Sequence, residues 1–121
     1  MKKIHKPWGH EEVWAHTNKY AGKILHINKG ERLSLQFHEK KEETIYVLEG
    51  ELLLICGNSE DSLKKIILNQ GESMHIEPGL IHRFCATESS VKLIEVSTSE
   101  LDDVVRLGDD YGRERIKNQN V

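Results

Sequence analysis

Leu33-Ser34-Leu35-Gln36-Phe37-His38, then the charged run Glu39-Lys40-Lys41-Glu42, then Glu43: this stretch decides how the chain is read. Side chains alternate faces along an extended strand, so Arg32, Ser34, Gln36 and His38 are predicted to share one face, and Leu33, Leu35 and Phe37 the other. Glu43 reaches the same centre if the charged run makes a turn and the chain returns on the next strand. His82, which follows the tight Pro78-Gly79 pair, starts a further strand beside the first two. Two imidazoles, a carboxylate and an amide oxygen make a borderline nitrogen and oxygen environment. It suits one divalent ion, Zn, Mn, Fe, Co or Ni, with positions left for water or substrate. Singly, each residue has an ordinary alternative: a surface amide, a solvated charged turn, a hydrogen-bonded histidine.

Outward from this stretch, short apolar or alternating runs recur from Lys23 to Ser97. Lys23 to Ile27, Ile45 to Leu48, Leu52 to Ile55 and Val91 to Val96 read as strands. Turn signals separate them: Asn28-Lys29-Gly30, Glu49-Gly50-Glu51, Gly57-Asn58, Asn69-Gln70-Gly71 and Pro78-Gly79. Asp61 to Leu68 could form a helical turn, but Ile66-Ile67-Leu68 favours a strand. The expected architecture is all-β, a sandwich or barrel, with one domain over residues 1–113. The charged segment from Ser99 wraps the barrel or frays, and residues 114–121 are expected to fray.

At 121 residues the chain has room for one ordinary core. Its 17 Lys+Arg against 20 Asp+Glu, with both signs interspersed, argue against a nucleic-acid partner. No run approaches a membrane span and no signal-peptide core follows Met1-Lys2-Lys3, so no membrane partner and a cytoplasmic location are expected. Cys56 and Cys85 lack metal-type spacing and read as buried free thiols.

The spacing from Gly30 through Gln36-x-His38 and Glu43 to Gly50, followed by Gly71, Pro78-Gly79 and His82, resembles the two motifs of the cupin superfamily. That resemblance implies a double-stranded β-helix, a jelly-roll barrel. Many cupins carry histidine where Gln36 stands and asparagine where Ala86 stands. More narrowly, Lys6-Pro7-Trp8-Gly9, Gly30 to His38, His82-Arg83, Ile94-Glu95-Val96 and Asp110-Tyr111-Gly112-Arg113 look like the cupin domain of type II phosphomannose isomerases, often the C-terminal half of bifunctional enzymes with a mannose-1-phosphate guanylyltransferase. The resemblance places Gln36, His38, Glu43 and His82 on the metal. It makes Lys23, Arg83, Arg106 and Arg113 candidate contacts for an anion or sugar, for each of which a surface ion pair is the ordinary alternative. The family usually has arginine at Lys41, tryptophan near Ile45 and glutamine near Ser97, so the pocket is expected to differ.

Lys23, Glu95 and Arg106 are the catalytic candidates for a metal-dependent aldose-ketose isomerase acting on mannose 6-phosphate or a related sugar phosphate. Glu95, Lys23 or His75 would be the base that moves a proton between C1 and C2. Two other readings stay open: a cupin that binds a sugar or sugar nucleotide without turnover, and an iron-dependent cupin dioxygenase. Leu33, Leu35 and Phe37, opposite the ligand face, need cover from another strand or a second subunit, so a homodimer is expected.

Overall fold

In the computed structural model the described residues are 1–113; the expected fraying of 114–121 lies outside them. They form eleven strands: β1 Lys2–Lys6, β2 Gly9–His16, β3 Ala21–Ile27, β4 Leu35–Phe37, β5 Glu43–Glu49, β6 Leu52–Gly57, β7 Lys64–Leu68, β8 Ser73–Ile76, β9 Ile81–Cys85, β10 Val91–Ser97 and β11 Val105–Gly108. All pairings between these strands are antiparallel. One sheet has six strands in the order β1-β2-β3-β10-β5-β8, the other five in the order β11-β4-β9-β6-β7. Among the described residues no helix is long and apolar enough to cross a membrane.

The period-2 pattern explains what lies between the sheets. In β10, Val91, Leu93, Glu95 and Ser97 are buried, and in β5 the inward set is Glu43, Ile45 and Val47. Leu25, Leu93 and Val47 stand in register across three strands, and Lys23, Glu95 and Ile45 form the next row. Each inward row therefore runs from apolar to ionisable along the strands. The apolar end, with Leu52, Leu54, Phe84 and Val91, carries the core, each such side chain contributing about 1.5–3 kcal/mol on burial.

Several expectations are corrected here. The sheet begins at Lys2, not Lys23, because the alternation in Gly9–His16 also builds a strand. The strand around Gln36 is short, and Leu33 is buried in the core instead of lying opposite the ligand face. Its backbone is held by Phe84 and Arg83, so the alternation breaks between Leu33 and Ser34. Only Leu35 and Phe37 remain half-buried on the outer face. Of the charged segment after Ser99, the described residues, up to 113, follow the barrel and add β11 beside β4. Cys56 and Cys85 are buried free thiols.

At the turn between β5 and β6, Gly50 has φ 86°, and a Cβ there would lie 2.4 Å from the Ser90 carbonyl oxygen. Gly50→Ala is expected to lose about 1–2 kcal/mol from the left-handed backbone alone, and more from the clash. A denaturant midpoint equal to wild type would contradict this.

Candidate metal centre

β4, β9 and β11 set Arg106, Gln36 and His82 in one cross-strand row of the five-stranded sheet. Glu43 enters from the facing sheet at the start of β5, and His38 sits one residue beyond β4. The three ionisable members converge: His38 Nε2 is 3.0 Å and His82 Nε2 3.4 Å from Glu43 Oε1. All three are buried, His82 completely.

Backbone carbonyls determine which ring nitrogens carry protons. His38 Nδ1 donates to the Asp103 carbonyl at 2.6 Å, and His82 Nδ1 to the Leu80 carbonyl at 2.9 Å. A carbonyl only accepts, so in each neutral ring the Nε2 lone pair faces Glu43. Two lone pairs and a carboxylate then meet at one point, and His82 Nε2 and Glu43 Oε2 are buried without a hydrogen-bond partner among the described residues. Such a cluster needs positive charge at its centre. The donor set fits a divalent ion, with the Nδ1 bonds serving to orient the rings as they do in metal sites. Gln36 lines the same cavity, its Oε1 accepting from Ser34 Oγ at 2.9 Å.

Burial works against the charge of Glu43, but Lys41, and then the two histidines in their protonated forms, hold its carboxyl well below the ordinary value. Lys41 Nζ lies 3.2 Å from Glu95 and 3.9 Å from Glu43. Burial pushes Glu95 up to about 7, with the charge of Glu43 adding and Lys41 and Lys23 opposing. Lys23 is buried in a pair with Glu11 at 3.1 Å.

These groups form one wall of a cavity of about 50 Å³. Its other wall is cationic. Arg106 is 2 % exposed, and its Nε and Nη1 find no acceptor among the described residues. Burial, then the neighbouring Arg113, lowers its pKa, with Asp109 opposing. Lys6 is pushed down to about 8, first by burial; Glu11 resists, and Lys23, Arg106 and Arg113 add to the fall. Arg113 also lines the cavity, anchored on both carboxylate oxygens of Asp109.

Three candidates stand elsewhere or in unexpected company. Arg83 lies on the other face of β9 from His82 and Phe84, donating to the carbonyls of Leu33 and Gly108; it clamps strands and does not line the cavity. His75 is exposed and bonded to Glu42, which removes it as a base. Lys23 lines the cavity as expected, but with its charge matched by Glu11. Lys41 and Lys6 were missed. The parity of Lys41 with Glu43, Ile45 and Val47 would have placed Lys41 inward.

Asp103 organises the hairpin that carries His38. Its carboxylate accepts from the backbone amides of Glu39, Lys40 and Lys41, and its carbonyl from His38. Asp103→Ala is expected to cost about 1–2 kcal/mol, as for a lost helix cap, and to loosen metal affinity about tenfold through His38. Thermal melts with and without zinc check both effects.

Two antiparallel sheets rolled around a polar end that gathers His38, Glu43 and His82 define a cupin, a double-stranded β-helix protein. Residues 1–109 match the family described as mannose-6-phosphate isomerase C-terminal, and the chain belongs to that family. The alginate biosynthesis protein AlgA of Pseudomonas aeruginosa is 28% identical over 114 residues, covering 91% of this chain and 23% of AlgA. The mannose-1-phosphate guanylyltransferase ManC of Salmonella typhimurium is 32% identical over 118 residues, covering 93% of this chain and 23% of ManC. The chain thus spans about a quarter of these relatives' length. Among solved structures, KdgF from Halomonas sp. superposes with TM-score 0.72 at 17% identity, covering 84% of this chain and 89% of that one. The capsular polysaccharide assembling protein CapF from Staphylococcus aureus gives 0.79 at 15%, covering 88% and 34%. These two show the shared fold.

Proposed function

We propose that this cupin domain, over residues 1–113, holds one divalent ion on His38, Glu43, His82 and Gln36 and acts on a sugar phosphate as an aldose-ketose isomerase of the mannose 6-phosphate type. One observation carries the reading: the buried guanidinium of Arg106, with two N–H groups unsatisfied, shares a cavity with a cluster of metal donors. A ligand that is anionic at one end and carries oxygens at the other satisfies both. The family match supports the sugar phosphate as that ligand.

When bound, the ion supplies Lewis acidity toward sugar oxygens. The side chains do the rest. Arg106, joined by Lys6 and Arg113, takes the phosphate through charge-assisted hydrogen bonds. Trp8, Leu25 and Phe84 line the cavity and exclude water. Glu95, buried on the cavity wall in register with Lys23, takes the C2 proton and returns it to C1, while the O2 hydroxyl proton passes to O1. Lys23, paired with Glu11, keeps that wall electrically balanced.

Incubation with mannose 6-phosphate or fructose 6-phosphate in the presence of zinc, manganese, cobalt or nickel is expected to interconvert the two. Absence of turnover with these and other sugar phosphates across all the metals would defeat the isomerase reading.

A second reading is binding without turnover, of a sugar or sugar nucleotide. It is favoured by the ion pairs Lys41–Glu95 and Lys23–Glu11, which engage the two buried cavity carboxylates other than Glu43. A ligand that raises the melting temperature yet is recovered unchanged supports it, and conversion of that ligand excludes it. A homodimer belongs to the same proposal; a monomer by light scattering removes it.

A further inference from the structure

The outer face of the six-stranded sheet carries a second group of metal donors, separate from the cavity. His5 on β1 stands opposite His10 on β2, and His10 opposite His26 on β3, so three imidazoles occupy one row across three neighbouring strands. Glu12, two residues beyond His10, projects to the same face and sits diagonally from His26. Glu11 and Leu25, between them in sequence, point into the cavity, which fixes the row as outward.

The side chains are already gathered. The rings of His10 and His26 stack with centroids 4.0 Å apart and planes 15° from parallel. Glu12 Oε1 lies 2.5 Å from His26 Nε2. One donor atom from each of His10, Glu12 and His26 falls within 4.8 Å of the other two. All three residues are half-buried, so their side chains can turn without disturbing the core.

We propose that His10, Glu12 and His26 form a second, solvent-facing site for a divalent transition ion of the zinc or copper type, with His5 placed to add another nitrogen. Two imidazoles and a carboxylate are a donor set for such ions, and three protein ligands leave a position open to water. In a tetrahedral zinc site, ligands at 2.0–2.2 Å stand about 3.4 Å from one another. Small side-chain rotations bring the observed separations, 2.5 Å between Glu12 and His26 and within 4.8 Å for the rest, to that value, because β-sheet pairing has already brought the backbones together. Partial burial and the adjacent His26 lower the pKa of His10, which favours the neutral ring that binds metal. The neighbouring cations compete weakly. Lys92, opposite His26 on β10, is paired with Glu49 at 2.7 Å, and Lys3, opposite Glu12 on β1, is exposed.

This site is independent of the proposed activity, and zinc titration of the full chain by calorimetry, with bound metal counted after desalting, tests it. Wild type is expected to bind two equivalents and the double variant His10→Ala/His26→Ala one. Glu12→Gln, a milder change, should weaken the surface ion at least tenfold while leaving the buried one. His82→Gln should show the converse, retaining the surface ion. Proton NMR of the histidine rings supplies a readout apart from stoichiometry: zinc should shift the His10 and His26 signals in the His82→Gln protein. The proposal is overturned if folded His10→Ala/His26→Ala protein binds as many ions as wild type, or if those ring signals do not respond.

Discussion

Replacing Arg106 by Met is expected to weaken a phosphorylated ligand by roughly 100-fold or more while leaving the ligand-free protein as stable as before, or more so. The two effects share one cause. Arg106 is 2 % exposed, and two of its N–H groups have no acceptor. A buried, unpaired charge carries a desolvation penalty, so an apolar side chain of similar length relieves it. With a phosphate in the cavity the same groups become charge-assisted donors, each worth about 1.5–3 kcal/mol, which is the basis of the expected loss in affinity. Phosphate or mannose 6-phosphate should therefore raise the melting temperature of wild type and leave that of Arg106→Met nearly unchanged. A variant that is less stable without ligand and binds mannose 6-phosphate as well as wild type would show that Arg106 is a structural residue.

The second large effect is expected at His82. Its ring is completely buried, with Nδ1 tied to Leu80 and Nε2 unpartnered beside Glu43. Zinc at a hundredfold excess over its dissociation constant should stabilise wild type by about 2.7 kcal/mol, and a chelator should reverse the gain. His82→Gln removes a nitrogen ligand but retains a polar side chain. In the His10→Ala/His26→Ala background its melting temperature should lose most of the zinc response, and the proposed metal-dependent isomerisation should vanish with it. If His82→Gln is stabilised by zinc as strongly as wild type while the surface cluster is disabled by His10→Ala/His26→Ala, the buried ion is held by other residues.

The ring orientations that underlie this prediction could not be read from the residues alone. Gln36, His38, Glu43 and His82 were legible because strand parity and the short turn through Glu39-Lys40-Lys41-Glu42 limit where each can point. The facing of Glu95 was left open by the residues, and the structure turns it inward with Val91, Leu93 and Ser97. Arg83 shows where the reasoning fails. It adjoins His82, and parity puts adjacent strand residues on opposite faces, so placing both on the ligand required ignoring the rule that located the histidine. Leu33 fails for another reason: β4 is too short for the alternation to extend back to it. The N-terminal strands β1 and β2 were missed because their period-2 pattern is written largely in His, Glu and Lys, residues whose outward face is polar and whose inward members, Lys6 and Glu11, are polar as well.

The residues in sequence determined the all-β class, the antiparallel strands and the apolar-to-ionisable gradient along them, since alternation and turn chemistry act within a few residues. The tertiary structure alone decided which charges are matched and which are not. Lys41 meets Glu95 across 54 positions and Asp103 reaches back to the His38 hairpin, whereas Arg106 is buried without an acceptor. Electrostatic pairing depends on distances through space between strands far apart in the chain, and those distances exist only once the two sheets have closed.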